Sequence, residues 1–504
     1  MKRPLEGEPE RLSEKNFSTQ LQAAFFFREK LPNQMDTVPT TDSEKTPRSG
    51  SIIEMDSELI EDITELIESR EEGMVLNVLA DLHPADLAQI LTHLNIDNAK
   101  QAFLWLPNEL AGDTLTELDD EYRAKLVEET PEKRLTEILD ELESDDAADV
   151  LADLPEEVIE KVLPTLEDAE EVQVLLAYDE ESAGGLMATE FVAVPSHWTV
   201  AEATEEVRLS AETVEDIYVV FVIDSQKRLL GVVKLDQLLL SPASRAISDI
   251  MESDIHSVPT DLDQEEVALV MQRYDLISLP VVDTESKLVG RITIDDIVDV
   301  IREEAEEDIQ RMSGVSGGEE PTASVIRIVS HRLPWLLAGL AGAGLAAGVI
   351  WSFHATLQEA SVLAGFIPII MATAGNAGIQ SSAITVQGLA SGDMWATDLM
   401  QRLGKELRVA LLNATIAAVV LGVAILLLLP VLVDGVSSPA RLAGTATAAL
   451  LIVIVQATAF GTLIPLILNK MEIDPALATG PFITTSNDII GILVFFSLAE
   501  LFYL

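Results

Sequence analysis

Two textures of hydrophobic patterning divide the chain. From about Met55 to Asp179 apolar residues recur at helical spacing, as in Leu59, Ile63, Leu66 and Ile67, and again in Ile138, Leu139 and Leu142. Four short phrases punctuate this stretch, Leu82–Asp86, Leu106–Glu109, Leu142–Asp146 and Leu154–Glu157. Each puts Pro or Ser/Asp where a helix starts and acids in its first turn, where the helix dipole favours them. The pattern predicts an all-α domain of stacked helix pairs over residues 55–181, with His83 and His93 as surface or capping residues. Residues 1–54 carry Pro, Ser, Thr, Glu and Lys without sustained period and are expected to form a disordered tail. The charged start and the lack of a small-residue cleavage site argue against a secretory signal.

At Ser182 the period changes. Glu190–Val194, Asp216–Ile223 and Leu229–Val233 read as strands, with helices at Thr199–Leu209 and Leu235–Leu240. The order then repeats in Ile255–Val258, Asp263–Tyr274, Ser278–Val282 and Lys287–Thr293. The phrases Val222-Ile223-Asp224 with Leu230-Gly231-Val232-Val233, and Val281-Val282-Asp283 with Leu288-Val289-Gly290-Arg291-Ile292, look like two CBS motifs, over residues 182–247 and 248–301. Some CBS pairs reach an adenine nucleotide's ribose through Thr/Ser-x-x-Asp. Thr293 and Asp296 match that phrase, whereas Lys234 and Gln237 stand at the equivalent places of the first motif, so ATP is a candidate modulator. Asp261-x-Asp263-x-Glu265 begins like a calcium loop but continues with Glu266 where an EF-hand needs Gly.

Residues 302–326 connect these motifs to the apolar C-terminal part of the chain. Ile297, Ile301, Ala305, Ile309 and Met312 make one face of a helix whose other faces carry Glu303, Glu304, Glu306, Glu307 and Asp308. Gly314-Val315-Ser316-Gly317-Gly318 matches GxSxG, but no strand precedes it, and it reads as a flexible linker. Residues 327–504 form a transmembrane domain with five apolar spans, near 333–353, 360–389, 407–432, 443–468 and 478–502, each long enough for a hydrocarbon core of about 30 Å. Arg327, Arg332, Arg402, Lys405, Arg408 and Lys470 fall on the side of the acidic domains and Arg441 on the other. Positive-inside logic puts the N-terminal part in the cytoplasm and the C-terminus outside.

Four glycines, Gly339, Gly342, Gly344 and Gly348, give the first span a small-residue face for helix packing. The second span combines Pro368, Gly375 and Gly378 with Asn376 and Gln380, which suggests a helix broken at membrane depth that offers oxygen atoms to an ion. In the fifth, Thr484, Asp488 and Gly491 share a face beside Asn487. Asp488 costs about 2.5–3.5 kcal/mol on insertion scales, and such a residue marks an ion pathway by default. Asn413 and Gln456 read as interhelical hydrogen-bond partners.

Composition narrows the chemistry. With 504 residues and a net charge of −53, the chain is too acidic to bind nucleic acid through a basic surface, and its partners should be cations. The absence of cysteine excludes thiolate metal sites and nucleophiles, leaving oxygen ligands that suit magnesium or calcium. No phosphate loop, nucleophile triad or metalloprotease spacing points to an enzyme.

Ala372-Thr373-Ala374-Gly375-Asn376-Ala377-Gly378-x-Gln380, Asp474-Pro475-Ala476 and Pro481-Phe482-Ile483-Thr484-Thr485-x-x-Asp488-x-x-Gly491 resemble the membrane motifs of the MgtE family of magnesium channels. Ser182-Ala183-Gly184-Gly185-Leu186-Met187 and the Glu-rich connecting helix extend the resemblance, which runs from about Ile60 to the C-terminus. Ile379 departs from it, standing where the family motif often has a second asparagine. The resemblance implies a multi-pass homodimer in the lipid of the plasma (inner) membrane. Its pore would lie at the dimer interface, with Asp488 of each subunit, and Asn376, Thr484 and Gln380, around hydrated Mg2+. Asp86, Asp249, Asp295, Glu303, Glu306, Glu307 and Asp308 are candidate regulatory ligands, Mg2+ among the acids closing the gate. The residues leave two alternatives open: a membrane-anchored cation or nucleotide sensor that does not conduct, and a proton-coupled carrier.

Overall fold

The computed structural model describes residues 57–504 except 129, 212, 215, 320–323, 393–398, 433–437, 472 and 479; the expected tail lies outside the described residues. Short helices run from Ser57–Glu68 to Ala169–Leu175, and those starting at Pro84, Asn108, Ser144 and Glu156 begin at the punctuating phrases. Pro84 opens Pro84–His93, whose cap His83 accepts the Ala85 N–H on Nδ1 at 3.3 Å. Ser144 opens Ser144–Ala152 with Asp145 and Asp146 in its first turn. Ile63, Ile67, Ile138 and Leu139 are buried in a core that continues through Met187, Val258, Leu279, Ile292 and Ile297. The helical domain thus shares its core with the second CBS repeat. The first repeat has a separate core around Val194, Val220, Val222 and Val233.

Strands β1 (Ala193–Pro195), β2 (Val219–Ile223) and β3 (Leu229–Lys234) form a sheet in that order, β1 parallel and β3 antiparallel to β2. Strands β4 (Val258–Pro259), β5 (Ser278–Val282) and β6 (Leu288–Thr293) repeat it, down to a register slip at Val222/Ile223 and at Val281/Val282. The edge strands β1 and β4 start later than expected, at Ala193 and Val258, and each ends on a proline, as edge strands tolerate. In β2, Asp216 turns the chain with φ 39° before the strand starts at Val219. The Gly231 and Gly290 pair of the repeats has a common cause: a Cβ on Gly231 would overlap the Glu252 carbonyl, and one on Gly290 would lie 2.8 Å from the Ala188 carbonyl. Residues 182–188 are accordingly stitched to the second repeat, with Ala183 N–H donating to Leu262 O at 2.7 Å and Ala188 N–H to Arg291 O at 2.8 Å.

Asp263, in the phrase that fails as a calcium loop, caps helix Gln264–Tyr274 by accepting the Glu265 N–H at 2.9 Å. The connecting helix spans Ile294–Met312. On its apolar face Ile297 and Val300 are buried, while Ile301 and Ile309 are 40% and 61% exposed, so much of the expected apolar face is uncovered within the chain. The linker is tied down rather than flexible. Ser316 N–H donates to His331 O at 3.2 Å, Trp335 Nε1 donates to Ser316 Oγ at 3.2 Å, and Gln310 and Glu319 exchange two hydrogen bonds of 2.8 Å.

Among the described residues five helices are long and apolar enough to cross a membrane: Val325–Ser352, Ser361–Ala390, Met400–Leu432, Pro439–Lys470 and Pro475–Phe502, here spans 1 to 5. Span 4 is central, and spans 1 and 3 are peripheral. Span 2 contradicts the expected break. A 3-10 turn, Ser361–Phe366, leads into one unbroken helix, Ile367–Ala390, whose Pro368 sits in the first turn, where no N–H is needed. Gly378 serves close approach instead. A Cβ on Gly378 would overlap Asn487 of span 5, and one on Gly461 of span 4 would overlap the Gly378 carbonyl. In span 1 only Gly342 plays this part, against Thr485; Gly339, Gly344 and Gly348 have nothing within 4 Å.

Candidate functional site

Asp488 sits half-buried on span 5, and among the described residues it has no hydrogen bond or ion pair. One turn before it, the Thr484 hydroxyl donates back to Gly480 O at 3.3 Å, and its methyl lies where a Cβ on Gly375 would be 4.0 Å away. Asn487 is fully buried and accepts from Gln456 Nε2 at 3.2 Å, the interhelical bond expected of Gln456.

Asn376 and Gln380 are brought together with each other, but not with Asp488. They line a cavity of about 370 Å³ between spans 2, 3 and 4, with Thr373, Ser381, Glu406, Asn413 and Thr458. Asn413 therefore faces the cavity instead of clamping two helices. Glu406 was missed by sequence reasoning because Lys405 and Arg408 place the start of span 3 at Leu407, whereas the helix begins at Leu399. One Glu406 oxygen lies 3.2 Å from Arg402, and the other accepts from Ser381 Oγ at 3.4 Å.

The cytosolic acids gather in two places. At the first, helix Ser144–Ala152 faces the start of the connecting helix. Arg291 is buried and binds both Glu143 oxygens at 2.7 and 2.9 Å, while Ser144 Oγ donates to Glu190 at 2.7 Å. Burial first, then repulsion from Asp146 and Asp296, holds the buried Asp145 carboxyl well above its ordinary range. Asp146 is raised by burial and by Asp296. Asp295 accepts from Thr293 Oγ1 at 2.5 Å and Asp296 at 2.9 Å, so the residues read as a ribose contact also cap the connecting helix.

At the second, Arg311 holds Asp474 at 2.5 Å and also pairs with Glu307. Burial, opposed by Arg311 and assisted by Glu304, raises Glu307 to about 7. Burial and then Asp474 raise Asp308 to about 6. A cleft of about 60 Å³ joins Glu265, Asp308 and Asp474 to Val386, Leu389 and Asn469 at the ends of spans 2 and 4. Asp474 opens the Asp474-Pro475-Ala476 motif, yet nothing in its spacing assigns it a charged partner.

The other regulatory candidates are scattered. Glu303 is exposed beside Asp299 and Asp120, Glu306 and Asp249 are exposed, and Asp86 is half-buried on the helical domain. Among the described residues no three His, Asp or Glu converge tightly enough to hold one ion directly.

A family model for MgtE, described as a divalent cation transporter, matches residues 367–498; the MgtE intracellular N domain matches 82–181, and the CBS domain matches 183–243 and 247–303. The magnesium transporter MgtE of Enterococcus faecalis is 36% identical over 65% of this chain and 70% of its own length. That of Thermus thermophilus is 34% identical over 64% and 70%. Among solved structures, the soluble part of a magnesium transporter is 30% identical, covers 49% of this chain and 98% of its own, and has a TM-score of 0.45. The cytosolic domain of the Mg2+ channel MgtE in complex with ATP is 36% identical over 48% and 99%, at 0.46. Sharing this sequence over most of its relatives' length, with an all-helical N domain, a CBS pair and five apolar spans in the same order, the chain belongs to the MgtE family of divalent cation transporters.

Proposed function

We propose that this protein conducts Mg2+ into the cytoplasm down its electrochemical gradient, and that cytoplasmic Mg2+ closes it. The observation that carries the reading is Asp488, a carboxylate at membrane depth with no partner among the described residues of its own chain. A homodimer would bring two such carboxylates together, with Thr484 adding an oxygen dipole for a hydrated ion, while Asn376 and Gln380 would act from the separate cavity between spans 2, 3 and 4. Two charges crossing an inside-negative potential gain about 4.6 kcal/mol per 100 mV, so no hydrolysis is required. The C-terminus then lies outside and the acidic domains inside.

Closure would work by neutralisation. The acids around Asp145, Asp146 and Asp296, and those around Glu307, Asp308 and Asp474, repel one another across the joints between helical domain, CBS pair, connecting helix and membrane. A dication that binds the closed joints more tightly shifts the population towards them. Asp295, Glu307 and Asp308 are the sequence candidates that lie at these joints. ATP is a candidate modulator through Thr293 and Asp296, where it would compete with their capping bonds.

The test is magnesium uptake into proteoliposomes by the intact chain and Asp488→Asn, at low and high Mg2+ on the cytoplasmic face. Uptake that needs Asp488 and is shut by cytoplasmic Mg2+ is expected. Uptake indifferent to both refutes the reading.

A further inference from the structure

Within the membrane domain the cavity between spans 2, 3 and 4 has a chemistry distinct from the face of span 5 that bears Asp488. Its polar lining comes from three helices: Thr373, Asn376, Gln380 and Ser381 from span 2, Glu406 and Asn413 from span 3, and Thr458 from span 4. Asn376 and Gln380 stand one turn apart and so project along the same wall. Its volume of about 370 Å³ exceeds what a fully hydrated ion needs, since six waters at about 30 Å³ each take about 180 Å³. Position matters as well. The Gly392 carbonyl just beyond span 2 accepts from Arg273 of the CBS pair at 3.5 Å, which marks the cytoplasmic end. Counting back at 1.5 Å per residue, Gln380 and Thr373 lie about 15 and 25 Å up the helix from Ala390.

The Glu406 carboxylate is only partly engaged. Arg402 approaches one oxygen at 3.2 Å, and Ser381 donates to the other at 3.4 Å, a long bond whose donor also sits 2.8 Å from Thr462 Oγ1. The Arg402 Nε is buried and has no hydrogen-bond partner among the described residues. A partly buried ion pair with an unmet buried donor is poorly compensated for leaving water. Such a pair yields readily to a stronger counter-ion for the carboxylate.

We propose that this cavity is a second divalent-cation site, anchored by Glu406, whose amide and hydroxyl lining receives the ion's water shell, and that Arg402 is its tethered competitor. The proposal rests on the reading that the membrane domain carries hydrated dications. It adds a station between spans 2, 3 and 4, separate from the face of span 5 that bears Asp488. The guanidinium and the dication contend for one carboxylate, so the ion is held loosely enough to leave.

The chain has no cysteine, so Ala417→Cys in the cavity wall carries a single fluorine label on the full-length protein. The probe is Mn2+, a hard dication with the same preference for oxygen ligands. It is added to detergent-solubilised protein carrying Asp488→Asn, which keeps the readout independent of conduction. Broadening of the label that Glu406→Gln weakens at least tenfold, and that Arg402→Gln brings on at about tenfold lower Mn2+, is the expected result. Broadening that neither variant moves, or none at all, overturns the proposal. Should Glu406→Gln fail to fold, Asn413→Leu, which removes an oxygen donor and fills the cavity, must weaken the broadening instead. Uptake unaffected by Asp488→Asn would refute conduction through Asp488 while leaving the Mn2+ result to decide the cavity.

Discussion

In the cytosolic half, Arg291 clasps Glu143 at 2.7 Å and Arg311 gathers Glu307 and Asp474, whereas in the membrane half Asp488 has no partner among the described residues. The cytosolic joints hold more acids than bases, and their spare carboxylates are pressed together at interfaces between domains. The membrane domain holds few charges and surrounds them with glycine, alanine and amides. Unpaired charge at a movable joint makes the joint responsive to cations, while unpaired charge inside a fixed helix packing makes a place for a cation to stop. One kind of residue therefore serves two ends, and the rigidity of its surroundings decides which.

The comparison breaks most severely at Arg291. Arg291→Ala leaves Glu143 without its buried partner and should cost about 3–5 kcal/mol, read as early unfolding of the cytosolic part in a thermal melt. A melt like that of the parent would mean the joint does not depend on its base. In the membrane half, Gly378→Ala forces a methyl onto Asn487 and should cost about 1–3 kcal/mol, with loss of the folded fraction in detergent.

The joints should also respond to pH. Carboxyls raised in the folded state bind more protons there than in the unfolded chain, so the stability they confer is present at low pH and lost as pH rises through their folded values. With Asp308 raised from 3.8 to about 6 and Glu307 from 4.5 to about 7, the melting temperature in chelator should fall between about pH 4 and pH 7 and level off above. Added Mg2+ at pH 8 should restore it, and a flat profile in chelator would remove the case for repulsion. A smaller effect is expected of Asp474→Asn, which takes one charge from the second joint and should raise the Mg2+ needed for half-maximal protection from protease several-fold. Smallest of all, Asp86→Asn and Asp249→Asn should shift that midpoint less than twofold, because neither residue reaches either joint.

Much of this fold was written in local pattern. Prolines and acids at Pro84 and Ser144 marked helix starts, and the Gly231/Gly290 repetition announced two equivalent sheets. What stayed hidden depends on contacts far apart in the chain. The glycines of span 2 look like helix breakers in isolation, and only Asn487 and Gly461, many residues away, turn Gly378 into a packing surface. Glu406 vanished behind its basic neighbours, since a window of hydropathy cannot tell a helix's exposed side from its cavity side. Asp145 and Asp146 read as ordinary first-turn acids because the partner that perturbs them, Asp296, belongs to another domain. Of the regulatory candidates on the connecting helix, Glu307 and Asp308 lie beside Asp474, while Glu303 and Glu306 of the same helix are exposed.

The glycine contacts among spans 2, 4 and 5 also limit how such a protein can open. Where Gly378 and Gly461 bring two backbones and Asn487 into touch, there is no side chain left to change rotamer and no slack to absorb a twist. That trio must travel as one casting, and any change of aperture has to be made at its outer seams, by whole helices shifting against it or by one copy of the casting tilting against another.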